Sequence, residues 1–258
     1  MKKRLDIVLV ERGLAESRTR AQALVMEGKV RVGGDLEFKS SRTVCDDDEV
    51  TVEAPPRFVS RGGEKLEGAF EKFGETSGVT PPLCVKDMVC LDVGSSTGGF
   101  TECLLQHGAS YVMAVDVGTN QLAYKLRSDP RVWVRENFNA RYMAPADLPR
   151  SPSVAVTDVS FISLKLILPP IKAVLNPGGL IVALIKPQFE VGKGNAPGGL
   201  VRDEALRLAA RDAIVEFAVK DLGLELLGLA ESPIRGKEMG NIEYLSYWRK
   251  RYDSKTDS

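Results

Sequence analysis

Lys65, Asp158, Lys186 and Glu243 are spread across most of a 258-residue chain, yet their types suit one task. Two amines and two carboxylates held together can take a proton from a weakly acidic hydroxyl, orient the oxygen and balance the charge that develops. A second segment, Leu91-Asp92-Val93-Gly94-Ser95-Ser96-Thr97-Gly98-Gly99-Phe100, has the glycine spacing of a turn that holds a small cofactor. The one histidine, His107, cannot supply this chemistry unaided and is assigned no role, so lysines and carboxylates must. The combination reads as an enzyme that carries a group from a cofactor to a poorly acidic hydroxyl.

These residues need a frame. Apolar runs at Val89–Val93, Tyr111–Asp116, Val132–Val134, Val154–Asp158 and Leu180–Lys186 read as strands. Helical spacing falls between them, with a long helical segment over Asp203–Leu222 and further strands near Glu225–Leu229 and Ile242–Trp248. Continuous apolar strands separated by helices imply an α/β fold, a mostly parallel sheet covered on both faces. Such sheets bind ligands at the carboxyl ends of their strands.

Asp158 and Lys186 end two strands and so project at that edge. The strand near Glu225 runs to the same edge, turns through Ser232-Pro233 to Gly240 and returns antiparallel, which brings Glu243 there too. Lys65 falls on a helix predicted over Gly63–Phe73, and periodicity alone does not place it at the edge.

The glycine turn lacks a glycine at Ser96, where a pyrophosphate demands close backbone approach, which weakens a nicotinamide or flavin reading. Asp116, one strand later, suits a nucleoside, because its carboxylate can accept both ribose hydroxyls. Asn137 and Asn139, after the third strand, are candidates to contact an adenine. Phe161 and Phe189 are candidates to stack on a base, against the alternative that they are core.

Lys and Arg number 35, as do Asp and Glu, for a net charge of zero. The balance is uneven along the chain. Met1–Thr43 holds ten basic and six acidic residues, a net of +4, which is an electrostatic footprint for phosphate. Leu5, Val8 and Leu9 space as a short helix, and Ser17 is a plausible N-cap for a second with Ala21, Leu24 and Val25 inward. Strands from Lys29–Val32 to Val50–Val52, joined by a Gly33-Gly34 turn, complete two helices and one small curled sheet. Ala54-Pro55-Pro56 reads as a linker, dividing the chain into residues 1–56 and 57–258.

No apolar run approaches the ~20 residues of a membrane-spanning helix, and the basic start lacks the apolar stretch of a signal peptide. Cys45, Cys84, Cys90 and Cys103 show no metal-like pairing. The expectation is a cytoplasmic protein with reduced thiols, no metal and no membrane.

The string Arg4-Leu5-Asp6, Ser17-Arg18, Ala21, Gly28-Lys29-Val30-Arg31-Val32-Gly33-Gly34, Lys39-Ser40, Asp47-Asp48 resembles the ribosomal-protein-S-four-type RNA-binding domain. That resemblance implies that Arg4, Ser17, Arg18, Arg20, Lys29, Arg31 and Lys39 face structured RNA, through phosphates and shape.

The turn Asp92 to Thr101 and Val115-Asp116-Val117-Gly118 resemble the S-adenosylmethionine motifs of class I, Rossmann-like methyltransferases. More narrowly, they resemble the TlyA branch of the FtsJ-like group. The likeness continues through Val59 to Leu66, Gln121-Leu122-Ala123, Thr157 to Ser163, Ile185 to Glu190 and Gly240 to Leu245.

What the resemblance implies is an S-adenosylmethionine-dependent methyltransferase acting on ribose 2′-hydroxyls of ribosomal RNA, at cytidine, with ribosomal subunits as partners. Lys65, Asp158, Lys186 and Glu243 match the family's catalytic tetrad. Asp92, Gly94, Ser95, Ser96, Thr97, Gly98, Gly99, Phe100, Asp116, Val117, Asn137 and Asp158 would hold the cofactor. Lys186 is the candidate base, or alternatively the group that orients the hydroxyl and stabilises its negative charge. Two other readings stand beside this one: a non-catalytic ribosome-binding factor, and a membrane-active hemolysin, suggested only by a label some family members carry.

Overall fold

The computed structural model describes residues 2–54, 56–192, 194–236 and 239–252. Pro55 of the predicted linker and Lys237-Glu238 of the loop before Gly240 lie outside the described residues. The chain forms two compact units, Met1–Pro56 and Arg57–Ser258.

The first unit runs β1 (Lys2–Arg4), α1 (Leu5–Glu11), α2 (Arg18–Met26), β2 (Val30–Val32), β3 (Asp35–Glu37), β4 (Thr43–Cys45) and β5 (Val50–Val52). Ser17 caps α2 by accepting the Arg20 N–H at 3.2 Å. Leu5, Leu9, Ala21, Val25, Val30 and Val44 form the core. One expectation fails: the strands make two sheets, β1–β4 and β3–β2–β5, rather than one. Lys2-Lys3-Arg4 is wholly cationic and carries no apolar alternation, so its pairing with β4 rests on backbone hydrogen bonds that no side-chain pattern reports.

The second unit contributes α3 (Gly62–Phe73), β6 (Val89–Val93), α4 (Gly99–Gln106), β7 (Tyr111–Val115), α5 (Tyr124–Arg127), β8 (Val132–Arg135) and β9 (Val154–Thr157). It continues with α6 (Leu168–Val174), β10 (Leu180–Ile185), α7 (Glu204–Lys220), β11 (Leu224–Glu231) and β12 (Tyr244–Lys250). The seven-stranded sheet has the order β11-β12-β10-β9-β6-β7-β8. The pairs from β10 through β8 are parallel, and β12 runs antiparallel between β10 and β11. From β6 the chain winds outward through β7 and β8, then returns to β9 on the other side, so the crevice of topological reversal lies between β6 and β9.

Period-two alternation divides the sheet's side chains between two cores. Cys90, Val112, Val156, Val182, Leu184, Leu245 and Tyr247 face α3 and α4. Leu91, Val93, Met113, Ala155, Ile181, Ile185 and Trp248 face α6 and α7. Burying each of these apolar side chains contributes roughly 1.5–3 kcal/mol, which fixes the register, since a one-residue slip exchanges the faces.

Candidate active site

The same parity aims the polar residues. Asp158 lies two residues beyond Val156, Lys186 two beyond Leu184 and Glu243 two before Leu245, so all three continue the rows that face α3. Registers set them abreast. Val93 pairs with Thr157 and Ile185 with Tyr244, so Gly94 leaves the sheet beside Asp158 and Lys186 beside Glu243; Ala183 pairs with Thr157, so Lys186 stands two residues further along than Asp158, on the same face.

Lys65 is brought to them by glycine packing. A Cβ on Gly99 would stand 2.4 Å from Ser60 Oγ and 2.7 Å from Gly63 N, so α3 and α4 start almost in backbone contact. Gly68 packs against Pro233 of the β11–β12 hairpin, where a Cβ would meet the ring at 2.5 Å.

The four side chains form an alternating chain of charge. Glu243 Oε2 lies 2.6 Å from Lys65 Nζ, Lys65 Nζ 3.6 Å from Asp158 Oδ2, and Asp158 Oδ1 2.6 Å from Lys186 Nζ. Lys186 Nζ also donates to Ser160 Oγ at 2.8 Å. Lys65 and Lys186 are each 8 % exposed and Glu243 2 %. Lysines this buried are held only where carboxylates face them, because an unpaired buried charge costs several kcal/mol.

Beside this chain the glycine turn leaves β6. Gly94 has φ +81°, and a Cβ there would meet Val159 Cγ1 at 3.0 Å and the Asp158 carbonyl at 3.3 Å, so the position needs glycine on two counts. Asp116 stitches two turns together: Oδ2 accepts the Ser96 N–H at 2.8 Å and Oδ1 the Gly118 N–H at 2.7 Å. Each oxygen keeps a lone pair for a further donor.

Cavities open on both sides of the turn. One of 440 Å³ is lined by Gly94, Ser96, Asp116, Val117, Phe138, Asn139 and Ile162. Another, of 570 Å³, is lined by Ser60, Arg61, Lys65, Ser95, Thr97, Gly99, Phe100, Lys186 and Arg235, and both share Gly94, Ser96, Asp158 and Ser160. A third, of 300 Å³, reaches Lys65, Lys186 and Glu243 from the side of Gln188 and Phe189.

Phe161 borders the first and third cavities, 84 % exposed, at φ +63° and with its ring 5.1 Å from that of Phe189. An exposed aromatic in a left-handed conformation is not core. Glu190 fixes this loop, accepting from Ser163 Oγ and from the Leu164 N–H.

Three sequence candidates stand elsewhere. Asp92 lines none of these three cavities; it is fully buried and accepts from Thr101 Oγ1 at 2.7 Å, tying β6 to α4. Burial pushes its carboxyl up to about 7, against the Thr101 hydrogen bond and with help from the Asp158 charge. Asn137 turns its Oδ1 to Thr119, and Phe138 and Asn139 take the cavity wall instead. Gly98 packs beneath Leu122 and Leu126.

Sequence reasoning also passed over Ser160, Arg61 and Arg235. Ser160 carried a signal, because it lies two residues beyond a strand-ending acid; the two arginines sit on connecting segments without periodicity.

In the first unit, Asp6 is fully buried and accepts from Arg4, Arg18 and Gln22 at 2.8–3.0 Å. Hydrogen bonding from Arg4, then Gln22 and Arg18, holds its carboxyl well below the usual carboxylate range despite burial. The Arg4 and Arg18 side chains stay 42 % and 56 % exposed. Lys29 pairs with Glu27, and so does Arg20. Arg31 and Lys39 are exposed, while the Ser17 hydroxyl is spent on its cap.

Residues 58–250 match the FtsJ-like methyltransferase family and residues 3–50 the S4 domain. The chain is 44% identical to the 16S/23S rRNA (cytidine-2′-O)-methyltransferase TlyA of Mycobacterium tuberculosis, across 97% of this chain and 91% of that one. It is 43% identical to Hemolysin A of Brachyspira hyodysenteriae, across 95% and 99%. A solved structure from Streptococcus thermophilus, of a protein named as a hemolysin, superposes with a TM-score of 0.71 at 42% identity, covering 99% of this chain and 92% of that one.

Proposed function

We propose that this chain, which belongs to the FtsJ-like methyltransferase family, methylates ribose 2′-hydroxyls of ribosomal RNA, at cytidine in one or both ribosomal subunits. The observation that carries this reading is the alternating chain Glu243–Lys65–Asp158–Lys186, held at the same sheet edge as the glycine turn. The relatives named for rRNA (cytidine-2′-O) methylation support the substrate.

The residues around the turn fit S-adenosylmethionine. Asp116 offers lone pairs at the end of the strand after the turn, Val117, Phe138 and Ile162 supply apolar walls for a base, and the carboxylate of Asp158 suits a cation. When bound, this cofactor supplies an electrophilic methyl group on a positively charged sulfonium.

The protein's own groups handle the hydroxyl. Lys186 would accept the 2′-hydroxyl proton at Nζ, leaving the oxygen an electron pair for the methyl carbon, whose bond to sulfur would break with its electrons staying on sulfur. Asp158 and Ser160 fix Nζ in place. Lys65, anchored by Glu243, offsets the negative charge that grows on the oxygen. The ring of Phe161 stacks on a base beside the reacting sugar. Holding the oxygen in line contributes further acceleration.

Arg4, Arg18, Arg20, Lys29, Arg31 and Lys39 of the first unit would meet RNA phosphates, giving salt-sensitive affinity without base identity. The place of work would then be the cytoplasm. A purely binding role leaves two buried lysines unexplained. Among the described residues, no helix is long and apolar enough to cross a membrane.

The test is transfer of tritiated methyl from S-adenosylmethionine to purified ribosomal subunits and to protein-free rRNA. Label in RNA is expected. Cofactor binding with no label in either RNA sample sinks the enzymatic reading.

A further inference from the structure

Glu67, Cys103 and His107 bring three metal-ligating atoms together on the side of α3 and α4 away from the glycine turn. Oε2, Sγ and Nε2 all lie within 4.8 Å of one another. Cys103 Sγ is 3.6 Å from Glu67 Oε2, and His107 Nε2 is 2.8 Å from the same oxygen. His107 caps the C-terminus of α4 four residues after Cys103, with its N–H on the Cys103 carbonyl, so the two side chains leave the same end of the helix. Glu67 comes from α3.

We propose that these three residues bind a zinc-type divalent transition metal ion, with water as the fourth ligand. Bonds of about 2.0–2.3 Å in a tetrahedron place ligand atoms about 3.3–3.8 Å apart. The Cys103–Glu67 separation already falls in that range, and the Glu67–His107 pair needs to open by only about half an ångström.

The surroundings suit the assignment. Arg57 Nη1 holds the other oxygen of Glu67 at 2.9 Å, leaving Oε2 as a single-oxygen ligand. The His107 ring is stacked on Phe70, with centroids 3.7 Å apart and planes within 7°, so Nε2 is aimed rather than free to swing. Cys103 is fully buried, with its thiol facing Glu67 Oε2. Metal binding forms a sulfur–metal bond and releases the thiol proton to solvent.

Sequence reasoning passed over this cluster, because the cysteines are unpaired and Glu67 lies 36 residues before Cys103. The consequence reaches the active site. Glu67 is two residues from Lys65 on α3, and α4 starts at the glycine turn, so a metal here would clamp the helices that carry both.

The experiment is a titration of tag-free, full-length protein with Co²⁺, followed by its visible and thiolate-to-cobalt absorption, and with Zn²⁺ by elemental analysis and thermal unfolding. Freedom from tags matters because His107 is the chain's one histidine. One equivalent bound, a thiolate-to-cobalt band and a rise in melting temperature of several degrees are expected. Cys103→Ser should remove the band, and His107→Gln should weaken binding at least about 10-fold. Glu67→Gln serves in place of either variant if one fails to fold by circular dichroism. Absence of the band in the unmodified protein overturns the assignment, as does binding that the substitutions leave unchanged.

Discussion

Both units place acids against bases, with opposite outcomes. In the first, the acid is inside and the cations are out: Asp6 is fully buried while Arg4 and Arg18 stay about half exposed. In the second, the lysines themselves are buried, each facing a carboxylate at 2.6 Å. An interior acid that splays arginines outward presents positive charge to a partner and gives it direction. Interior lysines are hidden from any large partner and act only on a group brought to them. The contrast separates holding a polyanion from acting on one of its atoms, and four substitutions probe it.

Lys186→Ala should have the largest effect. Losing the proposed proton acceptor is expected to cut methyl transfer by about 10²–10⁴-fold, while calorimetry still finds cofactor binding, since the alanine leaves the turn and Asp116 intact. Glu243→Ala comes next. It leaves Lys65 with Asp158 at 3.6 Å as its remaining carboxylate, so thermal or denaturant unfolding should show a loss of about 3 kcal/mol, with activity falling as well.

Asp6→Asn should act more mildly, because the two arginines are water-exposed and screened. A loss of about 1–2 kcal/mol, seen as faster hydrogen exchange within residues 2–54, is expected together with weaker RNA binding. The Asp6 carboxyl is depressed in the folded state, so its contribution is present above the ordinary carboxylate range and is lost as pH falls below it. Unfolding followed from pH 6 down to 3 should show that loss in the parent and not in the variant.

Asp92→Asn should be the smallest and of opposite sign with pH. The Asp92 carboxyl is raised from 3.8 to about 7, so the folded chain binds more protons between those values. Its stabilising contribution is therefore complete below about pH 4 and declines as pH rises toward 7. Asparagine should flatten that slope in unfolding measurements, leaving the variant relatively more stable above neutrality.

Much of the large unit was legible because buried parallel strands announce themselves as apolar runs and end in the polar residues that matter. Asp158, Lys186 and Glu243 could be set at one edge from strand endings and a hairpin. Lys65 could not, because its place depends on Gly63 and Gly99 meeting across two helices, a contact with no local pattern. Asn137 was misplaced for a related reason: past a strand end, parity no longer says which side chain turns inward, and Phe138 joins the expected Asn139 on the wall. The β1–β4 pair is made by backbone groups of a cationic triplet, so apolar alternation had nothing to report there.

Nucleoside mass spectrometry of rRNA treated with the purified protein and S-adenosylmethionine tests the central claim most directly. If the four clustered charges act on a sugar hydroxyl, the added methyl will be found on the ribose fragment, and it will disappear when Lys186→Ala replaces the parent. A methyl on the base fragment, or an undiminished ribose methyl from the variant, would contradict it.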